Sequence, residues 1–336
     1  MKSQPTPQTT ALEALPVQTI NPQMLALLED AADIAQDAKA VNTLRTYESR
    51  WKHFCAFCEI VHAPALPAHP ATVVSYLAHL ARRQKISTLQ NKLAAIRHYH
   101  LKARVPDPTR DNAVRDVLDG IRRKFHTAPT RKAAVERDVL RHMLAVQPDT
   151  LRGVRNRALL LIGFACDLRR SEIVALEYKD VKFFPNRMVV NIGKSKTDQY
   201  GEGFPLSVPR IADTSICPAH ALKTWLEISK IKSGPLFRKI DRWEHIGADA
   251  LTDQVVALVI KQSAAACGYD PNEFGGHSLR RGFITQAARN REQSADIRKV
   301  SRHKTEIMLD VYRADAEDAQ MRVIRGALQN ENENEV

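Results

Sequence analysis

GHSLRRGFITQAARNREQSADIRKVSRHKTEIMLDVYR, residues 276–313, holds the most informative group of polar side chains in the chain. His277 and Arg280 are three positions apart, so a helix that begins just after the histidine would present both on one face. His303 follows a polar break, and Tyr312 lies nine positions further on in a short predicted helix. A guanidinium can bind two phosphate oxygens at once and a phenol can act as a nucleophile, so the stretch predicts phosphate chemistry.

Two further basic motifs lie upstream of this stretch. CDLRRSEIVAL, at 166–176, places Arg169 three positions before Glu172, so that both can share one face at the start of a helix. IGKSKT, at 192–197, follows a predicted strand and carries Lys194 and Lys196. Each motif alone is common in proteins, and only their combination in this order is specific.

The ordered set of motifs carries a family resemblance. His-x-x-Arg, a later histidine, a tyrosine nine positions beyond it, an upstream arginine and a hairpin lysine resemble the signature of the tyrosine recombinases, the integrase family of Cre- and Xer-like enzymes. The likeness spans roughly residues 30–325. It implies a site-specific DNA recombinase that cleaves and rejoins DNA through a 3′-phosphotyrosine, by a transesterification that needs neither a metal nor another cofactor.

The resemblance also implies a role for each motif residue. Two arginines would hold the scissile phosphate, the hairpin lysine would protonate the departing 5′ oxygen, and the tyrosine would be the nucleophile. The catalytic set is Arg169, Lys196, His277, Arg280, His303 and Tyr312, with Glu172 as the supporting acid. Arg170 is the alternative to Arg169, and Lys194 is the alternative to Lys196. The family usually has glycine before the second histidine, where this chain has Arg302.

The charge distribution favours a polyanionic partner. The 336 residues carry a net charge of +12 and a pI near 9.6. Positions 82–132 hold 14 Lys or Arg against 4 Asp or Glu, so much of the surplus lies in one block. We expect this block to lie against double-stranded DNA. The predicted DNA-binding residues are Arg82, Arg83, Lys85, Lys92, Arg97, Arg122, Arg123 and Lys124.

The length of 336 residues predicts two domains, each long enough to bury its own core. Spacings of three and four predict short helices from about residue 42 to 125, and alternation predicts strands at 181–184, 187–192 and 204–209, with only helices after 228. The resemblance implies a mainly α fold, with a helical core-binding (SAM-like) N-terminal domain and a mixed α+β catalytic domain with a small antiparallel sheet, forming a C-shaped DNA clamp. The predicted division is a disordered leader at 1–30, the core-binding domain at 31–125, a linker at 126–135, the catalytic domain at 136–315, and a subunit-docking helix with an acidic tail at 316–336.

Metal and membrane sites are not predicted. Cys55 and Cys58 form a C-x-x-C with His62 and His69 after it, but they lie in an amphipathic run where cysteine behaves as a small buried hydrophobe. No second ligand pair with zinc-finger spacing follows. The longest apolar run, residues 158–165, is too short to cross a bilayer, so we expect a cytoplasmic, nucleoid-associated protein without membrane contact.

Three other functions compete with recombination. A structural DNA-binding protein would explain the charge but not the ordered catalytic set. A type IB topoisomerase-like enzyme would share the chemistry but relax supercoiled DNA as a monomer. A catalytically silent DNA-binding regulator on the same fold would lack a catalytic residue, and none is missing here. The resemblance to recombinases implies a homo-tetramer on DNA, whereas which site the enzyme recognises, and whether it integrates, excises, inverts or resolves, does not follow from the sequence.

Overall fold

The computed structural model describes residues 41–125, 132–193 and 203–302, and the chain divides into two compact units, Met1–Pro129 and Thr130–Val336. Both are mainly helical, and the described sheets are small and antiparallel, as predicted. No helix in these three ranges is long and apolar enough to cross a membrane.

The first unit is a helical bundle. Its helices are α1 (Val41–Ile60), α2 (Pro70–Leu80), α3 (Ile86–Lys102) and α4 (Asn112–Phe125). Pro70 begins α2, as its missing N–H favours, and the ring of His69 caps the helix by accepting from the Ala71 N–H at 3.2 Å. Phe54, Tyr76 and other apolar side chains at helical spacing are fully buried between the helices. The predicted helical domain is therefore confirmed.

The C-x-x-C motif belongs to this bundle. Cys58 is buried in the core of the first unit and Cys55 is half-buried. Burial raises the pKa of the Cys58 thiol to about 11, which disfavours the thiolate that a metal would require. Within the described parts of the chain, no three His, Cys, Asp or Glu side chains are grouped so that they could bind a metal ion.

The second unit places helices around a three-stranded sheet. The helices are α5 (Arg137–Ala145), α6 (Leu151–Ala165), α7 (Arg170–Ala175), α8 (Pro218–Ser229), α9 (Asp253–Ala266), α10 (Ser278–Arg289) and α11 (Ser294–Ser301). The strands are β1 (Val181–Phe183), β2 (Arg187–Ile192) and β3 (Phe204–Pro209), in the order β1-β2-β3. Helix α6 is the central element, because Leu159, Leu160 and Ile162 are fully buried in the main core. The three predicted strands are confirmed.

A second hairpin in this unit was not predicted. Strands β4 (Arg238–Ile240) and β5 (Ile246–Ala250) pair antiparallel, so the expectation of helices alone after residue 228 is wrong. The carboxylate of Asp241 holds the turn by accepting from the backbone N–H groups of Trp243 at 2.8 Å and His245 at 2.9 Å. The strands are short and mostly polar, so they lack the alternation by which a half-buried strand is found in a sequence.

The start of α10 is fixed by close backbone packing. The Val135 N–H donates to the Ser278 carbonyl at 2.9 Å, and a Cβ at Gly282 would meet the Val135 carbonyl oxygen at only 1.8 Å. Gly282 is therefore required for this approach. Residues 132–135, at the end of the predicted linker, thus pack on the second unit and hold the first turn of α10, which carries Arg280, in place.

Candidate active site

The corner between α6 and α7 positions the upstream arginine. Helix α6 ends in hydrogen bonds from Cys166, Asp167 and Leu168 back to its last turn, and Asp167 has the left-handed φ of 50° typical of such a helix end. The chain then reverses and places Arg169 at the N-cap of α7. Arg169 Nη1 donates to Glu172 Oε1 at 2.7 Å, and the Arg169 backbone N–H donates to Glu172 Oε2 at 2.9 Å. The two side chains meet on one face at the start of α7, as their spacing predicted.

Helix α10 brings the second arginine to this corner. Arg280 is 4% exposed, and its Nη1 lies 2.8 Å from Asp167 Oδ2. The same guanidinium donates to the backbone carbonyls of Asp167 and of Ser301, at the end of α11. One side chain therefore joins three segments that are far apart in the sequence, and it holds the residue before position 302 against the corner.

Arg302 is an additional charged member of this group. Its backbone is left-handed with φ 56°, and its Nη2 donates to Glu172 Oε2 at 3.0 Å and to the Asp167 carbonyl at 3.1 Å. From the sequence alone, Arg302 was only a departure from the usual glycine, and Asp167 was not among the predicted site residues. Arg302 directly precedes His303 and Asp167 lies two positions before Arg169. Left-handed residues other than glycine are uncommon and cluster at functional sites.

Burial and pairing act differently on the two carboxyls. Burial raises the pKa of Asp167 well above its usual value, although Arg280 and Arg302 oppose the shift. Burial alone would also raise the pKa of Glu172, but the charge of Arg302 and the hydrogen bonds from Arg169 outweigh it and lower that pKa. Glu172 is therefore the ionised acceptor that orients the first arginine.

The remaining predicted residues divide into two groups. His277 is exposed at the N-cap of α10, directly before the turn that carries Arg280. Arg170, the competitor of Arg169, instead pairs with Asp253 of α9 at 3.0 Å. The other predicted positions lie outside the described residues, namely Lys194, Lys196, His303 and Tyr312. Lys194 and Lys196 fall in the segment between β2 and β3, whose ends pair at Ile192 and Phe204.

The first unit presents seven of the eight predicted DNA-binding side chains on its surface. Exposed are Arg82, Arg83, Lys85, Arg97, Arg122, Arg123 and Lys124. Arg82 and Lys124 lie over the same Phe125 ring, at 5.5 Å and 5.7 Å from its centre, so the ends of α2 and α4 meet in one basic cluster. Two of these arginines pair with an acid: Arg97 Nε lies 3.5 Å from Asp107 Oδ2, and Arg122 Nη1 lies 2.7 Å from Asp119 Oδ1.

Lys92 is the exception, and the prediction that it binds DNA is wrong. It is 1% exposed, and its Nζ donates to the Tyr76 hydroxyl at 3.0 Å inside the core. Burial, with repulsion from Arg50, lowers the pKa of Lys92 to about 8. The helical spacing from Leu89 to Ile96 places position 92 on the apolar face of α3, which is the signal that the charge-based prediction overlooked.

Comparison with known proteins agrees with this architecture. Residues 134–318 match the phage integrase family, and residues 33–104 match the phage integrase N-terminal SAM-like domain. The chain is 36% identical over 282 residues to the integrase/recombinase XerD homolog of Selenomonas ruminantium, which covers 82% of each chain. It is 27% identical over 185 residues to the Cre recombinase of Escherichia phage P1, which covers 52% of each.

Solved structures with a similar fold include recombinases bound to DNA. XerH bound to its palindromic difH substrate has a TM-score of 0.56 at 15% identity, over 78% of this chain and 73% of that one. A lambda integrase tetramer bound to a Holliday junction has a TM-score of 0.58 at 13% identity, over 86% of this chain and 77% of that one. At these identities the likeness establishes the fold.

Proposed function

This chain belongs to the phage integrase family and is a tyrosine-type site-specific recombinase, and we propose that it transfers DNA strands through Tyr312, with Arg169, Lys196, His277, Arg280 and His303 around the scissile phosphate. The observation that supports this assignment is the convergence of Arg169, Glu172 and Arg280 on one buried corner, from segments more than 100 residues apart. That corner also holds Ser301, two positions before the predicted second histidine.

The proposed reaction conserves the phosphodiester energy. The Tyr312 hydroxyl loses its proton to a general base and bonds to phosphorus, while the bond from phosphorus to the 5′ oxygen breaks. Lys196 protonates that leaving oxygen. The 5′-hydroxyl of a second strand later gives its proton to Lys196 and bonds to phosphorus, while the bond from phosphorus to the tyrosine oxygen breaks and that oxygen takes back the proton from the general base. Arg169 and Arg280 stabilise the charge that builds on the non-bridging oxygens. Each step exchanges one ester for another, so the chemistry requires no ATP.

A strand-exchange assay separates this function from its closest alternative. Two labelled duplexes that each carry the target site are incubated with the full chain, and recombinant products are resolved by length. A recombinase yields joined molecules from two sites, whereas a type IB topoisomerase-like enzyme relaxes a supercoiled plasmid that has no site and yields no joined molecules. Plasmid relaxation without any exchange would favour the alternative.

We also propose that the exposed basic cluster of the first unit binds the DNA backbone. Replacing Arg122, Arg123 and Lys124 with glutamine should weaken binding to all sequences. Each lost phosphate contact should reduce the steepness of the plot of log affinity against log salt concentration by about 0.9. The measurement is duplex affinity across a series of salt concentrations.

Lys92→Met is the matched control, because it removes a cation that lies inside the core. Its salt dependence should equal that of the wild type. An unchanged slope in the triple variant would place the DNA-binding surface elsewhere, and a flatter slope for Lys92→Met would contradict the buried position of this lysine.

We further propose that four chains assemble on the DNA through residues 316–328. This segment carries the apolar residues Met321, Val323, Ile324, Ala327 and Leu328. The second unit has an apolar groove of about 380 Å³, lined in part by Leu161, Phe164, Leu206, Phe283 and Val300. In this proposal the groove accepts residues 316–328 of a second copy, folded as a helix. The groove borders α10 and α11, so docking there would act on the helices next to the proposed catalytic residues.

A chain that ends at Asp315 should then bind one half-site as a monomer, lose cooperativity on the full site and recombine poorly. The cause is the loss of the docking helix, while the proposed nucleophile is retained. Gel shifts with one and two half-sites measure this effect. A chain that ends at Leu328 is the control and should behave like the wild type, because the removed tail is rich in Asn and Glu. Undiminished cooperativity in the shorter chain would mean that the helix packs on its own subunit.

A further inference from the structure

Two residues with left-handed backbones meet beside the proposed catalytic arginines. Asp167 has φ 50° and Arg302 has φ 56°, a conformation that glycine adopts freely and that most L-residues avoid. The arginine is the less expected of the two, since its side chain cannot satisfy its own backbone as a short Asp side chain can. Arg104 and Arg291 are also left-handed but exposed, so a role for Arg302 follows from its buried side-chain contacts and not from its backbone alone.

Those contacts are specific and buried. The Arg302 side chain is 9% exposed, and its Nη2 bridges the Asp167 carbonyl at 3.1 Å and Glu172 Oε2 at 3.0 Å. The Glu172 side chain is 3% exposed and also receives both hydrogen bonds from Arg169. Glu172 is therefore held between two arginines, one before α7 and one after α11.

Among the described residues, the charged groups around Glu172 belong to one cluster. Arg169 and Asp167 come from the α6–α7 corner, Arg280 from α10 and Arg302 from the end of α11, and the buried Cys166 thiol lies beside them. If Arg302 were absent, Arg169 would be the one remaining ion-pair partner of Glu172 among the described residues. A buried carboxylate that loses one of two cations is harder to ionise, and a protonated Glu172 would accept less well from Arg169.

We propose that Arg302 is a positioning residue for DNA cleavage: it fixes Glu172, and Glu172 in turn fixes the guanidinium of Arg169 toward the scissile phosphate. This inference rests on the proposed function, since it assigns a task to Arg302 in that reaction. The described partners of Arg302 are Glu172 and the Asp167 backbone, so in this proposal Arg302 acts through Glu172.

The test uses Arg302→Gly and Arg302→Lys in the full chain. Glycine suits the left-handed backbone, so Arg302→Gly removes the contact without straining the turn. On a nicked substrate that traps the covalent adduct, at saturating protein, Arg302→Gly should cleave about 10²-fold more slowly near neutral pH, the scale of a small misplacement of a catalytic group. Lysine should restore part of the rate, since it can supply one charged contact to Glu172.

The pH profile distinguishes positioning from a general structural role. Arg302 lowers the pKa of Glu172, so the acid limb of the cleavage rate should move to higher pH in Arg302→Gly. In a Glu172→Gln background, adding Arg302→Gly should cause little further loss and no pH shift. Lys299→Met removes a cation from the same helix that pairs with Asp296, and it should leave rate and profile unchanged.

The possible outcomes distinguish a failure of the positioning role from a failure of the proposed function. Suppose that the wild type forms the adduct. If Arg302→Gly then cleaves equally fast, or if its acid limb does not move, the positioning role is wrong and the proposed function stands. The positioning role is also wrong if Arg302→Gly slows cleavage by the same factor in the wild-type chain and in Glu172→Gln. Failure of the wild-type chain to form any adduct overturns the proposed function, and the role of Arg302 with it.

Discussion

Tyr312→Phe should abolish the covalent protein–DNA adduct while DNA affinity stays nearly unchanged. The hydroxyl is the proposed nucleophile, and its loss removes one atom from a large binding surface. A substrate nicked within the site releases a short strand after cleavage and so traps the adduct, which resists boiling in detergent. Adduct formation and half-site binding are measured on the same preparation.

Tyr178→Phe provides the matched control. This tyrosine is 40% exposed in the second unit and belongs to the short helix before β1. Its replacement should leave adduct formation unchanged. A Phe variant at 312 that still forms the adduct would show that another residue attacks the phosphate.

Arg169→Ala should slow cleavage by about 10²–10³-fold, the usual loss when one preorganised charge-stabilising donor is removed. Binding of a half-site should persist, because phosphate contacts along the duplex supply most of the affinity. Arg169→Lys should recover only part of the rate, since an ammonium cannot make the two parallel contacts of a guanidinium. Single-turnover cleavage of the nicked substrate gives the rates.

Arg170→Ala is the control for this position, because Arg170 pairs with Asp253 on α9 and not with Glu172. It should cleave at close to the wild-type rate. Equal losses for Arg169→Ala and Arg170→Ala would contradict the assignment. Arg280→Ala should lose the same factor and also stability, because Asp167 would remain buried without its ion pair.

The features that the sequence predicted correctly are local ones. The common face of Arg169 and Glu172 follows from their spacing of three, and the short helices between residues 42 and 125 follow from apolar spacings of three and four. The three strands of the sheet follow from alternation within a few residues. In each case the interacting groups are close in the chain, so the local sequence pattern is enough to predict the structure.

The features that escaped prediction did so for different reasons. Arg302 and Asp167 are 135 residues apart, and no local pattern connects them. Lys92 was assigned by charge, although its position on the apolar face of α3 places it in the core beside Tyr76. The hairpin of β4 and β5 is held by a side chain in its turn, Asp241, and its strands carry no clear period.

The most direct test of the account is to identify the atom that carries the DNA. The wild-type chain is trapped on a nicked site in the presence of EDTA, digested with a protease, and the modified peptide is sequenced by mass spectrometry. We expect a nucleotide joined through its 3′ phosphate to Tyr312, with a yield that EDTA does not change. A nucleotide on any other residue, or an adduct that forms only when a divalent metal is supplied, would contradict it.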